Sequence, residues 1–275
     1  MNDAVIVGAV RTAVGKRGGA LASMHPADLA AHVLDSLADR THIDPVVVDD
    51  VVWGYVSQVG EQTFDIARTA VLSAGWPESV PGTTVDRQCG SSQQAVHFAA
   101  AGLIAGQYDV VVAGGVESMS RVPMGSAQSS GNPLGLRYAA RYGRGFPSQG
   151  IGAEMIADKW ALTRDQLDEF ALSSHARAAT ATDEGLFADE IVSTDIDGYL
   201  VNADEGIRRA STKSTLAALT PAFRENGRIT AANSSQISDG SAAVLMMTSQ
   251  AAARLGVRWR GCTQRWLSVR HRCQC

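Results

Sequence analysis

The chain lacks several features that would each mark a class of protein. It contains no run of about eighteen apolar residues, so no bilayer-spanning helix is expected. It has no basic excess: 24 Lys and Arg face 28 Asp and Glu, for a net charge of −4, and no basic stripe offers a surface to nucleic acid. Cysteines number only four, which argues against a disulfide framework. The start reads Met1-Asn2-Asp3 and then Ala4-Val5-Ile6-Val7, without a basic segment or a long apolar core of a leader. A cytoplasmic protein whose first strand begins at Ala4 is expected.

What is present is an alternation of strand and helix. Ala4–Val10, Asp50–Val56, Thr83–Arg87 and Val110–Ala113 read as apolar strands, and Pro26–Ala38, Phe64–Ala74 and Ser91–Ala105 as the helices between them. This pattern predicts an α/β fold with a mostly parallel sheet covered on both faces. The third helix is apolar nearly all round, which predicts burial between layers. From Arg121 to Asn233 the character changes. Ser126–Gly145 reads as a long loop, Ala153–Ala161 and Asp165–Ala181 as helices, the second opened by Thr163, and Glu190–Asp197 as strand-like. Core-like sequence returns at Ala242–Thr248, a strand, followed by a short helix over Gln250–Leu255.

Chemistry concentrates at Val85-Asp86-Arg87-Gln88-Cys89-Gly90-Ser91-Ser92, where a thiol stands at the passage from strand to helix. A helix N-terminus presents N–H groups and the positive end of the macrodipole, both of which favour a thiolate. Local context leaves two readings of Cys89, a small buried hydrophobe or a nucleophile. Gly90 and the two serines suit close backbone approach and helix capping, which a reacting carbonyl would need. Downstream, Val110-Val111-Val112-Ala113 runs into Gly114-Gly115-Val116-Glu117-Ser118-Met119-Ser120, a glycine pair at the expected C-terminal edge of a strand, where open α/β sheets place ligands.

Taken together, these segments resemble the thiolase family, the acetyl-CoA acetyltransferases and 3-ketoacyl-CoA thiolases. The resemblance runs from residue 1 to about residue 257. It rests on Val10-Arg11-Thr12-Ala13-Val14-Gly15-Lys16, Cys89-Gly90-Ser91, Ala113-Gly114-Gly115-Val116-Glu117-Ser118-Met119-Ser120, Gly152-Ala153-Glu154, and Asn233-Ser234-Ser235-Gln236-Ile237-Ser238-Asp239-Gly240-Ser241-Ala242. It implies a thiolase-like α/β core, one of the two repeats of an αβαβα sandwich, with an inserted loop domain. Residues 1–120 and 234–257 would form the N-terminal α/β domain, 121–233 the coenzyme A-binding loop domain, and 258–275 an atypical tail.

The resemblance also implies roles. Cys89 matches the acyl-accepting nucleophile, whose backbone N–H joins an oxyanion hole. Arg208 would stand near the adenine nucleotide of coenzyme A, Thr215, Leu216 and Phe223 along the adenine and pantetheine path, and Ala231 and Ser235 where pantetheine meets backbone and hydroxyl. Ser148 and Gln149 stand where biosynthetic relatives resemble one another in a His-Met pair contacting substrate, which points to a degradative thiolase or one for bulky substrates. The implied reaction is thiolytic cleavage of a 3-oxoacyl-CoA to acetyl-CoA and a shortened acyl-CoA, in lipid or sterol side-chain degradation. Coenzyme A would be a substrate and no further cofactor is expected. A homo-oligomer is implied by the full-length family.

Other family segments are absent from this sequence. It has no Gly-His-Pro, whose histidine would activate the nucleophile, and no Cys-x-Gly-Gly, whose cysteine would be the acid/base. From Arg258 the eighteen residues hold five arginines, two tryptophans and no acidic residue. A frameshift, and a tail that is non-native or disordered, is the expectation there. Cys273-Gln274-Cys275 with His271 lacks the paired spacing of zinc modules, so no metal site is expected. Little turnover by this polypeptide alone is expected, and exposure of the apolar outer face of the Cys89 helix. The alternative is a non-catalytic acyl-CoA-binding subunit that works with a separate C-terminal chain. A ketoacyl synthase is disfavoured, because those condensing relatives lack the loop domain and the Glu-Ser-Met-Ser turn.

Overall fold

The computed structural model describes residues 2–128, 131–143, 145 and 147–259. The expected atypical tail, with Cys262, Cys273 and Cys275, therefore lies from Arg260 onward outside the described residues, as does Phe146. In chain order the elements are β1 (Val5–Arg11), β2 (Gly15–Lys16), α1 (Pro26–Thr41), β3 (Asp50–Gly54), α2 (Ile66–Ser73), β4 (Gly82–Val85), α3 (Ser91–Ala105) and β5 (Val110–Ser118). They continue with α4 (Leu136–Tyr142), α5 (Gln149–Lys159), α6 (Arg164–Asp183), β6 (Thr194–Ile196), β7 (Tyr199–Val201), α7 (Lys213–Ala217), β8 (Ser238–Met247) and α8 (Ser249–Leu255).

The described residues divide into two compact units, one of those within 2–126, 189–203 and 238–259, the other of those within 127–188 and 204–237. The sequence reading assigned 121–233 to a single insertion. Residues 189–203 depart from it because they bond to the first unit: Arg11 N–H donates to Glu190 O at 2.9 Å, Val192 N–H donates to Arg11 O at 2.8 Å, and the Arg11 guanidinium pairs with Glu190 at 2.7 Å. The expected strand over 190–197 is accordingly a single bridge at Ile191 and then the β6–β7 hairpin.

In the first unit the sheet runs β1-β8-β5-β3-β4, with β2 beside β8. The expected parallel arrangement holds for β5-β3-β4, but β8 lies antiparallel between β1 and β5. Apolar pattern alone carries no strand direction, so this inversion was not readable. Alternate residues face opposite ways, as the two-residue strand period requires. Val51, Trp53, Val110, Val112 and Val116 share one core with α1, α2 and α8, while Val52, Val111 and Ala113 share the other with Ala95, Ala99 and Leu103 of α3. Leu29, Leu34 and Leu37 of α1 and Leu103 of α3 are almost fully buried, each stabilising the layers by about 1.5–3 kcal/mol.

Helix α3 has the predicted bounds and ends in left-handed Gly106 at φ 78°. It does not lie between two layers among the described residues: Gln93, His97, Phe98, Ala101 and Ala105 are exposed on its outer face. The inner face approaches the sheet as closely as backbone can. Gly54 and Gly115 are register partners in β3 and β5. A Cβ on Gly54 would lie 2.3 Å from Ser92 N, and one on Gly115 would lie 2.0 Å from Ser92 Oγ. Only glycine at both positions admits the first turn of α3.

In the second unit, the stretch read as a loop over 126–145 contains α4, which buries no residue and so left no helical stripe to find. Helix α6 begins at the predicted cap: Thr163 Oγ1 accepts the N–H of Gln166 at 3.2 Å, and Gln166 Oε1 accepts the N–H of Thr163 at 2.8 Å. That reciprocal pair satisfies two donors the helix would otherwise leave open.

Gly54→Ala is expected to lower the unfolding free energy by about 1–3 kcal/mol, because the added carbon meets helix backbone that cannot swing aside. Urea denaturation beside the wild type measures this, and an unchanged midpoint would contradict the tight seat of α3.

Candidate active site

Cys89 occupies a sharp elbow between β4 and α3. Asp86 Oδ1 accepts the N–H of Gln88 at 2.7 Å, which turns the chain out of the strand. Gln88 is left-handed at φ 49°, a conformation that costs a residue with a Cβ about 1–2 kcal/mol. Gly90 N–H then donates to Arg87 O at 3.1 Å and Ser91 N–H to Gln88 O at 3.0 Å, closing the turn into the helix. Gly90 is the N-cap and Ser91 the first helical residue, so Cys89 stands just ahead of the helix and is exposed. Exposure removes the reading of Cys89 as a buried core residue. The elbow itself, from strand to helix, is the one the sequence predicted.

The glycine pair and Glu-Ser-Met-Ser turn behave differently from the expectation. β5 does not stop at Ala113 but runs through both glycines to Ser118. Gly114 and Gly115 lie inside the strand, where a Cβ on Gly114 would meet Ala242 O at 2.3 Å and Trp53 at 2.5 Å. They are sites of close packing, not a ligand turn. Beyond them Glu117 and Ser118 enter a polar network at the sheet's C-terminal end. Glu117 accepts the N–H of Val56 at 2.8 Å and the side-chain amide of Gln62 at 2.9 Å, while Gln62 Oε1 accepts the N–H of Ser118 at 2.9 Å. Asp239, 1% exposed, accepts the N–H of Ser120 at 2.8 Å and its hydroxyl at 2.6 Å. Charge-assisted bonds of this kind offset much of the cost of burying a carboxylate. Sequence reasoning assigned no role to Gln62 or Asp239. Asp239 lay within a recognised motif, whereas Gln62 carried no signal, its partners Glu117 and Ser118 being 55 and 56 residues away in the chain.

Tyr55 continues from β3 beside the elbow, its N–H donating to Val85 O at 3.3 Å and its hydroxyl to Phe64 O at 3.3 Å. Burial, and then the negative charges of Asp65, Glu117 and Asp86, push its phenol up to about 12. A shallow groove in the same unit is lined by Thr83, Val85, Asp86, Phe98, Ala101 and Tyr108, between the β4 edge and the outer side of α3.

The remaining residues singled out from the sequence all lie in the second unit. Ser148 is the N-cap of α5, its Oγ accepting the N–H of Ile151 at 3.4 Å, and Gln149 opens that helix. The Phe223 ring lies against Gly150, so close that a Cβ there would stand 2.1 Å from it, which brings Phe223 beside the start of α5. Thr215 belongs to the capping box of α7, bonding the N–H of Thr212 at 2.9 Å, and Leu216 beneath it is buried. Arg208 is exposed, its N–H donating to His175 Nδ1 at 3.3 Å. Ala231 and Ser235 are exposed on the segment that leads toward β8.

That segment is organised by two carboxylates. Glu154, fully buried, accepts the N–H groups of Arg228 and Ile229, each at 2.8 Å, and a 3.1 Å bond from Arg224. Asp168, 2% exposed, binds Arg164 at 2.7 Å and the Asn233 side-chain amide at 2.8 Å, while Asn233 Oδ1 accepts the N–H of Thr230. Asp158 is held below the usual carboxylate range by its bond from Arg224, with Arg228 adding to it. The Gly-Ala-Glu and Asn-Ser-Ser motifs thus contribute a buried frame for residues 224–235.

Comparison with known proteins gives a consistent picture. Residues 4–250 match a family model described as thiolase, N-terminal domain. The steroid 3-ketoacyl-CoA thiolase FadA6 of Mycobacterium tuberculosis is 47% identical over 266 residues, a match that spans 94% of this chain and 65% of that protein. A 3-ketoacyl-CoA thiolase of Erwinia tasmaniensis is 44% identical, spanning 94% and 68%. The crystal structure of the Bacillus anthracis acetyl-CoA acetyltransferase superposes with a TM-score of 0.83 at 37% identity, over 94% of this chain and 68% of that one. The chain therefore spans about two thirds of the length of these relatives.

Two outcomes are expected. Tyr55→Phe removes a phenol that titrates near pH 12 in the folded protein. Because that value lies above the unfolded one of about 10, the wild type loses stability relative to the variant as pH rises from about 10 to 12. Absorbance at 295 nm and urea midpoints across that range read both effects. Glu154→Ala leaves buried N–H groups without their acceptor and is expected to cost about 3–5 kcal/mol. Hydrogen exchange at Arg228 and Ile229 should quicken, and unchanged protection there would count against the frame.

Proposed function

This chain belongs to the thiolase family, and on that premise we propose that Cys89 is an acyl acceptor for coenzyme A thioesters. The observation that carries the reading is the elbow: an exposed thiol held just ahead of an N-terminal helix turn by a left-handed residue. Such an elbow presents a nucleophile with little steric cover, and the helix end favours negative charge in the reacting groups.

The reaction proposed is cleavage of a 3-oxoacyl-CoA. The Cys89 thiolate attacks the 3-keto carbon and forms a C–S bond; the bond between carbons 2 and 3 breaks, and acetyl-CoA leaves after its carbanion takes a proton. A second coenzyme A thiol then attacks the acyl-cysteine and releases the shortened acyl-CoA, restoring the thiolate. A general base and acid contribute about 10²–10⁴ in rate to such steps. The histidine and second cysteine that the resemblance implies for those tasks are not among these 275 residues, so the chain as it stands is best tested on acyl transfer to Cys89.

For coenzyme A itself we propose the second unit. Arg208 would meet phosphate charge, and Thr215, Leu216, Phe223, Ala231 and Ser235 would flank the adenine and pantetheine, Leu216 from beneath as packing. Ser148 and Gln149 at the start of α5 would meet the acyl group. Their difference from a His-Met pair, together with the 47% identity to a relative described as a steroid 3-ketoacyl-CoA thiolase, supports a degradative role on bulky acyl chains.

Intact-mass spectrometry after incubation with acetyl-CoA or a 3-oxoacyl-CoA is expected to show one acyl increment that maps to Cys89 and is absent from Cys89→Ser. Coenzyme A binding without any increment would favour a non-catalytic acyl-CoA-binding subunit instead.

A further inference from the structure

The elbow contains one side chain whose bonds serve the turn on both sides of the thiol. Ser91 is 3% exposed, so its hydroxyl is directed inward and away from any substrate. Ser91 Oγ accepts the N–H of Arg87 at 2.9 Å and donates to Gln88 O at 2.6 Å. Both bonds span Cys89 from the helix side, one to Arg87, two residues before it, and the other to Gln88, immediately before it. Gln88 O receives the N–H of Ser91 as well, at 3.0 Å, so both polar groups of Ser91 converge on the carbonyl of the left-handed residue. The following residue, Ser92, is the one seated against Gly54 and Gly115. The helix end is thereby fixed to the sheet, and Ser91 ties the elbow to that fixed end.

We propose that Ser91 is a positioning residue for acyl transfer: its hydroxyl holds Gln88 left-handed and so aims the Cys89 thiol, without itself touching substrate. The inference rests on the acyl-acceptor reading of Cys89. Without the hydroxyl, Arg87 N–H loses its acceptor and Gln88 can relax toward φ below zero, where a residue with a Cβ is more stable. The backbone between them carries Cys89, so its Cα–Cβ vector turns with them. A misplacement of about 1 Å can cost on the order of 10²-fold in a reaction that depends on approach geometry. Simple alkylation of an exposed thiol has no comparable demand.

The test uses the whole chain and two reagents on the same cysteine. With acetyl-CoA, the thiolate displaces coenzyme A from the thioester: an Sγ–C bond forms, the acyl-to-CoA sulfur bond breaks, and the departing thiolate is protonated by water. With iodoacetamide, the thiolate displaces iodide. Ser91→Ala is expected to slow acetylation at saturating acetyl-CoA by about ten- to hundredfold, with the half-saturating concentration and the alkylation rate each within about threefold of wild type. Ser91→Thr, which keeps the hydroxyl, should regain most of the lost rate. Gln88→Gly built into the Ser91→Ala chain, where a left-handed backbone carries no strain, should regain part of it, and this pair serves if S91A alone does not fold.

Acetylation of S91A within threefold of wild type would overturn the inference, as would acetylation and alkylation falling together, or S91T doing no better than S91A. A wild-type chain that alkylates but takes no acetyl group would overturn the acyl-acceptor reading itself, and this inference with it.

Discussion

The seat of α3 on the sheet is the contact on which the candidate site depends. Two glycines on neighbouring strands, Gly54 and Gly115, leave a notch without side chains of their own, and the first turn of α3 fills it, with backbone of Ser91 and Ser92 against Gly54 and the Ser92 hydroxyl against Gly115. A helix that stands on such a notch has its N-terminus fixed in height and along the strands at once. Everything just ahead of the helix inherits that position, and Cys89 is two residues ahead of its first helical residue. A side chain at either glycine would lift the helix off the sheet and carry the thiol with it. Packing and site geometry are here the same constraint.

Around this seat the two units solve one problem in one way. Each has a surface assembled from segments distant in sequence, and each joins them through a buried or half-buried carboxylate that accepts backbone N–H groups. Glu117 and Asp239 do so at the end of the sheet, and Glu154 in the second unit. A carboxylate can accept several bonds in a fan, so one side chain can fix the path of a loop lacking regular structure. The motif residues with the plainest physical duty are therefore these structural acids, with Asn233 beside Asp168.

Much of this was legible in the sequence, and the failures have physical causes. The bounds of α3 could be read because Gly106 must be left-handed and Gly90 opens the helix. The strand-to-helix elbow at Cys89 was readable for the same local reasons. The extent of β5 beyond Ala113 was not readable because glycine in a strand normally weakens it, and the groups packed against Gly114 and Gly115, among them the Trp53 ring and the Ser92 hydroxyl, are invisible to local pattern. Residues 189–203 matched the insertion in composition but join the first unit through Arg11, a partner about 180 residues away. Gln62 could not be found for the same reason. Separation in sequence, more than weakness of pattern, divides what could be read from what could not.

The antiparallel strand β8 has a consequence for how the chain is made. It lies between β1 and β5, so these two strands have no partner in common until residues 238–247 exist. Between the end of β5 at Ser118 and the start of β8 at Ser238 the ribosome spends on the order of ten seconds. Throughout that interval β5, β3 and β4 can pair, while β1 waits with an open edge. The second unit is synthesised wholly within this interval, and the strand that closes the first sheet emerges only after it. Birth order thus runs against sheet order, and the nascent chain must hold an incomplete core in reserve while its insertion takes shape.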